Sequence, residues 1–438
     1  MKKHKGHLLI ILALSITVHF AFFGQPNETV FDEVHFGKFV SGYYTGEYYF
    51  DIHPPLGKLM IAGFAKIVDF EPEYNFTEIG KEFPDKKYLA LRFLPAVAST
   101  LLPLIIYLLI LELGMSRMAA FAGALLIVFD NALLTQSRLI LLDPFLLLFG
   151  FTSLLFYFKK KYLLMAFFVG LAISIKWTGL SFIALPILIE AVKTVKILKT
   201  AIKLTIVSFM AVLRLASFFL ISLTIYFGVF ALHFALLPNP GSGDAFMKPG
   251  FRENNVIKNI RDLNVEMYRS NQRLAASHPY SSQFYTWPLM TRPIYYWVSE
   301  NSRIYFFGNP VIWWASTAAV LILLWRGLTS ILRLNLNTNF STFLLSGYFL
   351  NLLPFIGVKR VMFLYHYLTA LIFAVLILCY LIDKIHSISS GQDKNSRKIF
   401  TGIIIISIIA FLFFAPLSYG LPLSEKAYIT RVWFASWR

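Results

Sequence analysis

The sequence predicts an all-α polytopic membrane protein with about eleven transmembrane helices, its external loops carrying short interfacial helices. Three observations lead there. Of 438 residues, 57% are hydrophobic and only 14% charged, which leaves too little polar surface to cover a soluble globule of this size. Apolar runs of bilayer length recur along the whole chain. The net charge of +17 is placed in the loops expected on the cytoplasmic side, which reads as retention of Lys and Arg there and not as a nucleic-acid surface.

The elements follow in order. Lys2, Lys3 and Lys5 precede an apolar run from Leu8 to Phe23 with no small-residue cleavage pattern, so an uncleaved first helix with its N-terminus inside is expected. Residues 24–88 are too polar to span and form a first external loop. In it His53-Pro54-Pro55 stops a helix, and the apolar spacing after it predicts a helix along the interface. Runs from Leu89 to Leu113 and Met118 to Leu134 form a hairpin, and a span from Ile140 to Phe158 ends at Lys159, Lys160 and Lys161 on the inside. A short pair, Tyr162 to Ile175 and Thr178 to Ile189, turns at Lys176, with Lys199 and Lys203 inside.

The apolar stretch from Ala201 to Leu237 exceeds one crossing and is interrupted by Arg214, so an interfacial helix feeding a span from about Leu215 is expected. Residues 238–303 form a long external loop rich in Tyr, Trp and Pro, suited to the headgroup level. Spans follow near Ile304 to Trp325, Phe340 to Ile356, Val361 to Ile382 and Ile399 to Ala415, with Arg326, Arg333 and Lys384 among the inner cations. Residues 1–438 therefore read as a single membrane domain. Cys379 lies in an apolar run, so neither an intramolecular disulfide nor a cysteine metal site is available.

The external side gathers ionisable groups near helix ends. Asp32 and Glu33 are adjacent carboxylates that can raise one another's pKa and leave one poised as a base, or stand as a solvated loop pair. His35, Asp51 and His53 share their loop. With the acids the histidines offer oxygen and imidazole ligands for a divalent metal, though at no recognised spacing, so no metal cofactor is expected. Arg138 and Asp143 sit in a short turn, either pairing across it or binding and orienting a phosphate. Lys176 either meets a phosphate or snorkels. Lys359 and Arg360, before Tyr365-His366-Tyr367, read more simply as a membrane anchor. A carboxylate base facing cations suits an enzyme working on a phosphate-containing lipid substrate at the bilayer surface. A transporter would need ionisable residues along a path through several helices, and only Asp130 and few others lie in spans; a helix-end contact explains Asp130 better.

The stretch DEVHFGKFVSGYYTGEYYFDIHPPLGK, from Asp32 to Lys58, resembles the protein O-mannosyltransferase family. LRFLPA, SRLILLDPFLLLF, IKWTGL, HPYSSQFYTWPLM and MFLYHYLTAL extend the resemblance along the chain in order. It implies a C-type glycosyltransferase that moves mannose from polyprenyl (dolichyl) phosphate mannose to Ser or Thr hydroxyls of acceptor proteins, with inversion. A related transferase with another sugar or a lipid acceptor is the alternative. Asp32 matches the family's catalytic carboxylate, with Glu33 beside it. Arg92, at the family's Arg position in the second helix, and Arg138 are the expected cations for the leaving phosphate; His35, Asp51, His53, Asp143, Lys176 and His366 complete the expected substrate site. The 238–303 loop is too short for the MIR domain of eukaryotic members, so a prokaryotic cytoplasmic membrane is expected, with the active site facing out; the endoplasmic reticulum is the alternative for a eukaryotic chain.

Overall fold

The computed structural model describes residues 2–72, 74–198, 204–251, 255–273, 278–332, 339–388 and 393–438. Lys199, Lys203, Arg333 and the start of the expected Ala201 helix lie outside them.

The first half is α1 (Lys2–Phe20), α2 (Glu33–Thr45), α3 (Leu56–Ile67), α4 (Tyr88–Glu112), α5 (Arg117–Val128), α6 (Asn131–Ser137), α7 (Asp143–Phe158), α8 (Tyr162–Ile175) and α9 (Ser181–Leu198). Local chemistry sets these boundaries. Pro55 caps α3, as a residue with fixed φ and no amide proton can. Gly114, at φ +81°, makes the turn after α4, and Ser116 caps α5 by accepting from the Ala119 amide. Asp130 caps α6 through Leu133 and also accepts from the Asn309 amide and the Trp313 indole, the helix-end role expected of it. Pro144 occupies the first turn of α7.

The second half is α10 (Leu204–Leu236), α11 (Val256–Arg273), the hairpin β1 (Ile294–Ser299) and β2 (Ser302–Phe306), α12 (Pro310–Leu332), α13 (Asn339–Leu350), α14 (Leu368–Ile388), α15 (Asp393–Tyr419) and α16 (Glu425–Ile429). α10 is one continuous helix whose apolar span begins at Arg214, so the expected break there does not occur. The 238–303 loop also holds more structure than its composition suggested. Asn259, Ile260, Leu263 and Met267 form a single buried stripe on α11, and β1 and β2 pair antiparallel with an irregularity between Tyr295 and Trp297.

The protein is an integral membrane protein. Among the described residues six helices are long and apolar enough to cross a bilayer, seven if α5 and α6, bent by 56°, form one span. Four shorter apolar helices, including α7 and α8, stand beside them, and length alone does not establish the expected count of about eleven. The most deeply buried elements are α5, α6, α7 and α14. α8 and α10 approach closely, because Gly170 has no Cβ to meet the backbone of Ser222, whose hydroxyl donates to the Ala166 carbonyl at 2.9 Å. The connections 21–87, 138–142, 176–180, 237–309, 351–367 and the C-terminal segment meet at one end, tied by contacts such as Arg138 to Ala21, Lys176 to Asp143 and Trp297 to Glu28.

Candidate active site

At that end a cavity of about 370 Å³ opens between the first loop, α7, the α8–α9 turn, α11 and the 351–367 segment. Its polar lining includes His53, Asp143, Lys176, Asn271, Arg360 and His366; Leu146, Leu180, Phe355 and Val358 are among the apolar part. A polar floor with an apolar flank suits a phosphate attached to a lipid.

Asp32 comes from the loop before α2. Phe31, at φ +48°, adopts the left-handed region at a cost for a bulky side chain, and its ring stacks on Tyr296 of β1 at 3.9 Å and 7°. That contact sets the chain direction at Asp32, whose side chain makes no capping bond and, among the described residues, no ion pair. The carboxyl is part-buried, and burial raises its pKa to about 7; Lys176 and Arg360 pull it down, while Asp143 and Asp51 push it up. Asp32 is thus a carboxylate without an ion-pair partner among the described residues, in the field of the cations that line the cavity.

The cations are held from behind. Lys176 donates to Asp143 Oδ1 at 2.7 Å and lies 5.4 Å from the centre of the Tyr365 ring. Asp143 Oδ2 accepts from Gln136, whose carbonyl oxygen accepts from the Tyr296 hydroxyl at 2.8 Å. Arg360 donates to Asn271 of α11 at 2.9 Å, and no described carboxylate pairs with it. His366 stacks on Trp287, and its Nδ1 accepts from the Phe363 amide. Burial and the nearby Lys176 and Arg360 charges hold the His53 imidazole well below its ordinary pKa, so it is neutral.

Five expected site residues stand elsewhere. Glu33 is fully buried: its carboxylate takes two bonds from Arg92, at 2.8 and 2.7 Å, and accepts the amides of Val30 and Ile140. Arg92 spends its remaining donors on the carbonyls of Gly24, Pro26 and Glu28. Arg138 donates to the carbonyls of Ala21 and Phe22 and lies against Tyr419. In the structure Glu33, Arg92 and Arg138 fasten the first loop to α4 and α1 to the α6–α7 turn, and none of the three lines the cavity. Asp51 pairs with Lys58, and His35 is exposed on α2; neither is among the residues that line the cavity. Arg360 moves the other way: an anchor by sequence, it is a cavity wall in the fold. Asn271 and the rest of α11 had no signal beyond a four-residue apolar spacing. Among the described residues no three His, Cys, Asp or Glu side chains converge on a metal position.

Fold and site define a polytopic membrane protein with a partly polar cavity whose cations, Lys176 and Arg360, act on the Asp32 carboxyl. Residues 9–238 match the family described as dolichyl-phosphate-mannose-protein mannosyltransferase, and 256–437 match the C-terminal four TMM region of protein-O-mannosyltransferase. The chain belongs to the dolichyl-phosphate-mannose-protein mannosyltransferase family. It is 36% identical over 270 residues to dolichyl-phosphate-mannose--protein mannosyltransferase 4 of Candida albicans, covering 57% of this chain and 36% of the relative. It is 34% identical over 256 residues to protein O-mannosyltransferase 1 of Drosophila melanogaster, covering 55% and 29%. The chain spans about a third of the length of these curated relatives. In fold it is similar to the S. cerevisiae protein O-mannosyltransferase Pmt1-Pmt2 complex bound to the sugar donor, with TM-score 0.92, 19% identity and coverage of 100% of this chain and 93% of that one. The Archaeoglobus fulgidus oligosaccharyltransferase shares the fold more distantly, with TM-score 0.53, 16% identity and coverage of 98% and 57%.

Proposed function

We propose that this protein transfers mannose from a polyprenyl (dolichyl) phosphate mannose to Ser or Thr hydroxyls of acceptor proteins, inverting the anomeric carbon. The observation that carries this reading is the Asp32 carboxylate, without an ion-pair partner among the described residues and in the field of Lys176 and Arg360, which line the cavity. Asp32 accepts the hydroxyl proton as the oxygen attacks C1 of the sugar from the face opposite the phosphate. The C1–O bond to phosphate breaks, and Lys176 and Arg360 stabilise the charge on the departing lipid phosphate. His53 and His366 serve as neutral, shape-giving contacts to donor or acceptor. Asp143 orients Lys176, while Asp51 acts on the loop through Lys58. No metal is needed, because the two cations supply the charge that a divalent ion would bring. Lys and Arg placement supports an N-terminus inside and the cavity on the external face, and a 238–303 loop too short for a MIR domain supports a prokaryotic cytoplasmic membrane, with the endoplasmic reticulum as the alternative.

The test is a transfer assay with purified protein, a Ser/Thr-rich peptide and polyprenyl phosphates carrying mannose, glucose or N-acetylglucosamine, read by mass spectrometry. A hexose added from the mannose donor alone, undiminished in chelator, is the expected result. Transfer only from another donor, or only to lipid, would replace the reading with the related-transferase alternative.

A further inference from the structure

The turn between α7 and α8 presents Lys159, Lys160 and Lys161 at the end of the bundle opposite the cavity. α8 has 14 residues, and at a rise of 1.5 Å per residue that puts the turn roughly 21 Å from Lys176. The turn is tight, with the three lysine amides donating to the carbonyls of Leu155, Tyr157 and Phe156. Lys160 has φ +57°, a conformation that glycine or asparagine adopts at lower cost, so the chain places a charge where the backbone alone favours neither charge nor bulk.

Beside this turn an open groove of about 500 Å³ runs between the start of α8 and α10, lined by Lys160, Lys161, Leu163, Leu164, Arg214 and Ser217. Its chemistry is divided. Lys160, Lys161, Arg214 and the Ser217 hydroxyl form a cationic, hydrogen-bonding mouth, while Leu163 and Leu164, 67% and 41% exposed, continue it as an apolar wall. Among the described residues Glu190 is the acid facing this group, and it is already compensated: Arg214 donates to one carboxylate oxygen at 3.2 Å and the Tyr157 hydroxyl to the other at 2.7 Å. The Arg214 guanidinium rests 5.1 Å from the centre of the Tyr162 ring. Among the described residues Lys160 and Lys161 are therefore left without an acidic partner at the mouth.

We propose that this groove is a binding site for the phosphodiester headgroup of an anionic phospholipid, with an acyl chain lying along Leu163 and Leu164. Basic pockets between transmembrane helices bind anionic headgroups through this combination of cations and adjoining apolar surface. A free phosphate would use the cations and leave the leucines unused; a zwitterionic headgroup would bring its own cation against the lysines. The site is independent of the mannosyl-transfer reading, since no residue in it touches the cavity.

The test uses the full chain in detergent, with lipid retention read by native mass spectrometry. Phosphatidylglycerol and phosphatidylcholine are compared, inorganic phosphate is the competitor, and the double variant Lys160→Asn, Lys161→Gln keeps a residue suited to the left-handed turn. The wild-type protein should retain phosphatidylglycerol roughly tenfold over phosphatidylcholine. The double variant, checked for an unchanged melting temperature, should lose that preference, and millimolar phosphate should not displace the lipid. Equal retention of both lipids by the wild-type protein would overturn the proposal whether or not the variant folds. So would an unaltered preference in the variant, which would locate the lipid elsewhere, or displacement by inorganic phosphate, which would make this a site for the free anion.

Discussion

The Arg92 guanidinium meets both carboxylate oxygens of Glu33, at 2.8 and 2.7 Å, with neither side chain exposed to solvent. One residue away, Asp32 has no ion-pair partner among the described residues. Adjacent acids in the sequence thus divide the work: Glu33 ties the first loop to α4, and Asp32 stays free. Removing one partner of a buried pair leaves an uncompensated charge, costing about 3–5 kcal/mol. Arg92→Met should therefore lower the melting temperature sharply and reduce the yield of folded protein. Glu33→Gln, which keeps one acceptor oxygen but strands Arg92, should do the same to a lesser degree. If either variant melted like the wild-type protein while losing only turnover, Glu33 or Arg92 would belong to the chemistry.

The base must be ionised to accept a proton, and burial holds the Asp32 carboxyl up to about 7. Activity under kcat/KM conditions should rise with pH through about 7 and level above it. Lys176 pulls that value down, so Lys176→Gln should move the rising limb to higher pH as well as reduce the plateau by about 10²–10³-fold. An unmoved limb in that variant would detach the profile from Asp32. The sign for stability is opposite to that of a salt-bridged acid. A carboxyl raised above its unfolded value favours the folded state fully below about pH 4, and that contribution is lost as pH rises through about 7.

Arg360 and Arg138 are both cationic by sequence but placed differently. Arg360→Met should leave melting nearly unchanged and cost about 10²-fold in transfer, with Arg360→Lys recovering part of it. Arg138→Met should instead lower the melting temperature, because two helix-end carbonyls and the Tyr419 ring lose their partner. Reversed outcomes would return Arg138 to the leaving-group site.

α2, which follows Asp32, packs against a ring wall. A Cβ on Gly37 would come within 2.2 Å of the Phe76 ring, itself 1% exposed and packed against Tyr74 and Phe83. Gly37→Ala should cost about 1–3 kcal/mol by overpacking, measured as a lower melting temperature. An unchanged melt would mean that the loop repacks freely.

How much was legible follows from which signal each feature uses. Bilayer-length apolar runs located α4, α12, α14 and α15, because desolvation acts on local composition. The His53-Pro54-Pro55 stop before α3 was readable for the same local reason. Asp32, Asp143 and Lys176 were expected on one side of the membrane, and the structure brings Lys176 and Asp143 into contact at 2.7 Å; partner choice was not legible. Whether a charge faces a cavity or a neighbouring carbonyl depends on tertiary placement. Arg92 and Arg360 look alike in sequence; one closes a loop and the other lines a wall. α11 and the β1–β2 hairpin were hidden by the aromatic, proline-rich composition of their loop, which suits an interface whether or not it is structured.

The most direct test is Asp32→Asn, which removes the base with little change in size or polarity. Turnover of polyprenyl phosphate mannose onto a Ser/Thr-rich peptide should fall at least about 10³-fold, with the melting temperature within a few degrees of wild type and donor binding retained. Asp32→Asn protein that is folded and transfers mannose at the wild-type rate would contradict the account.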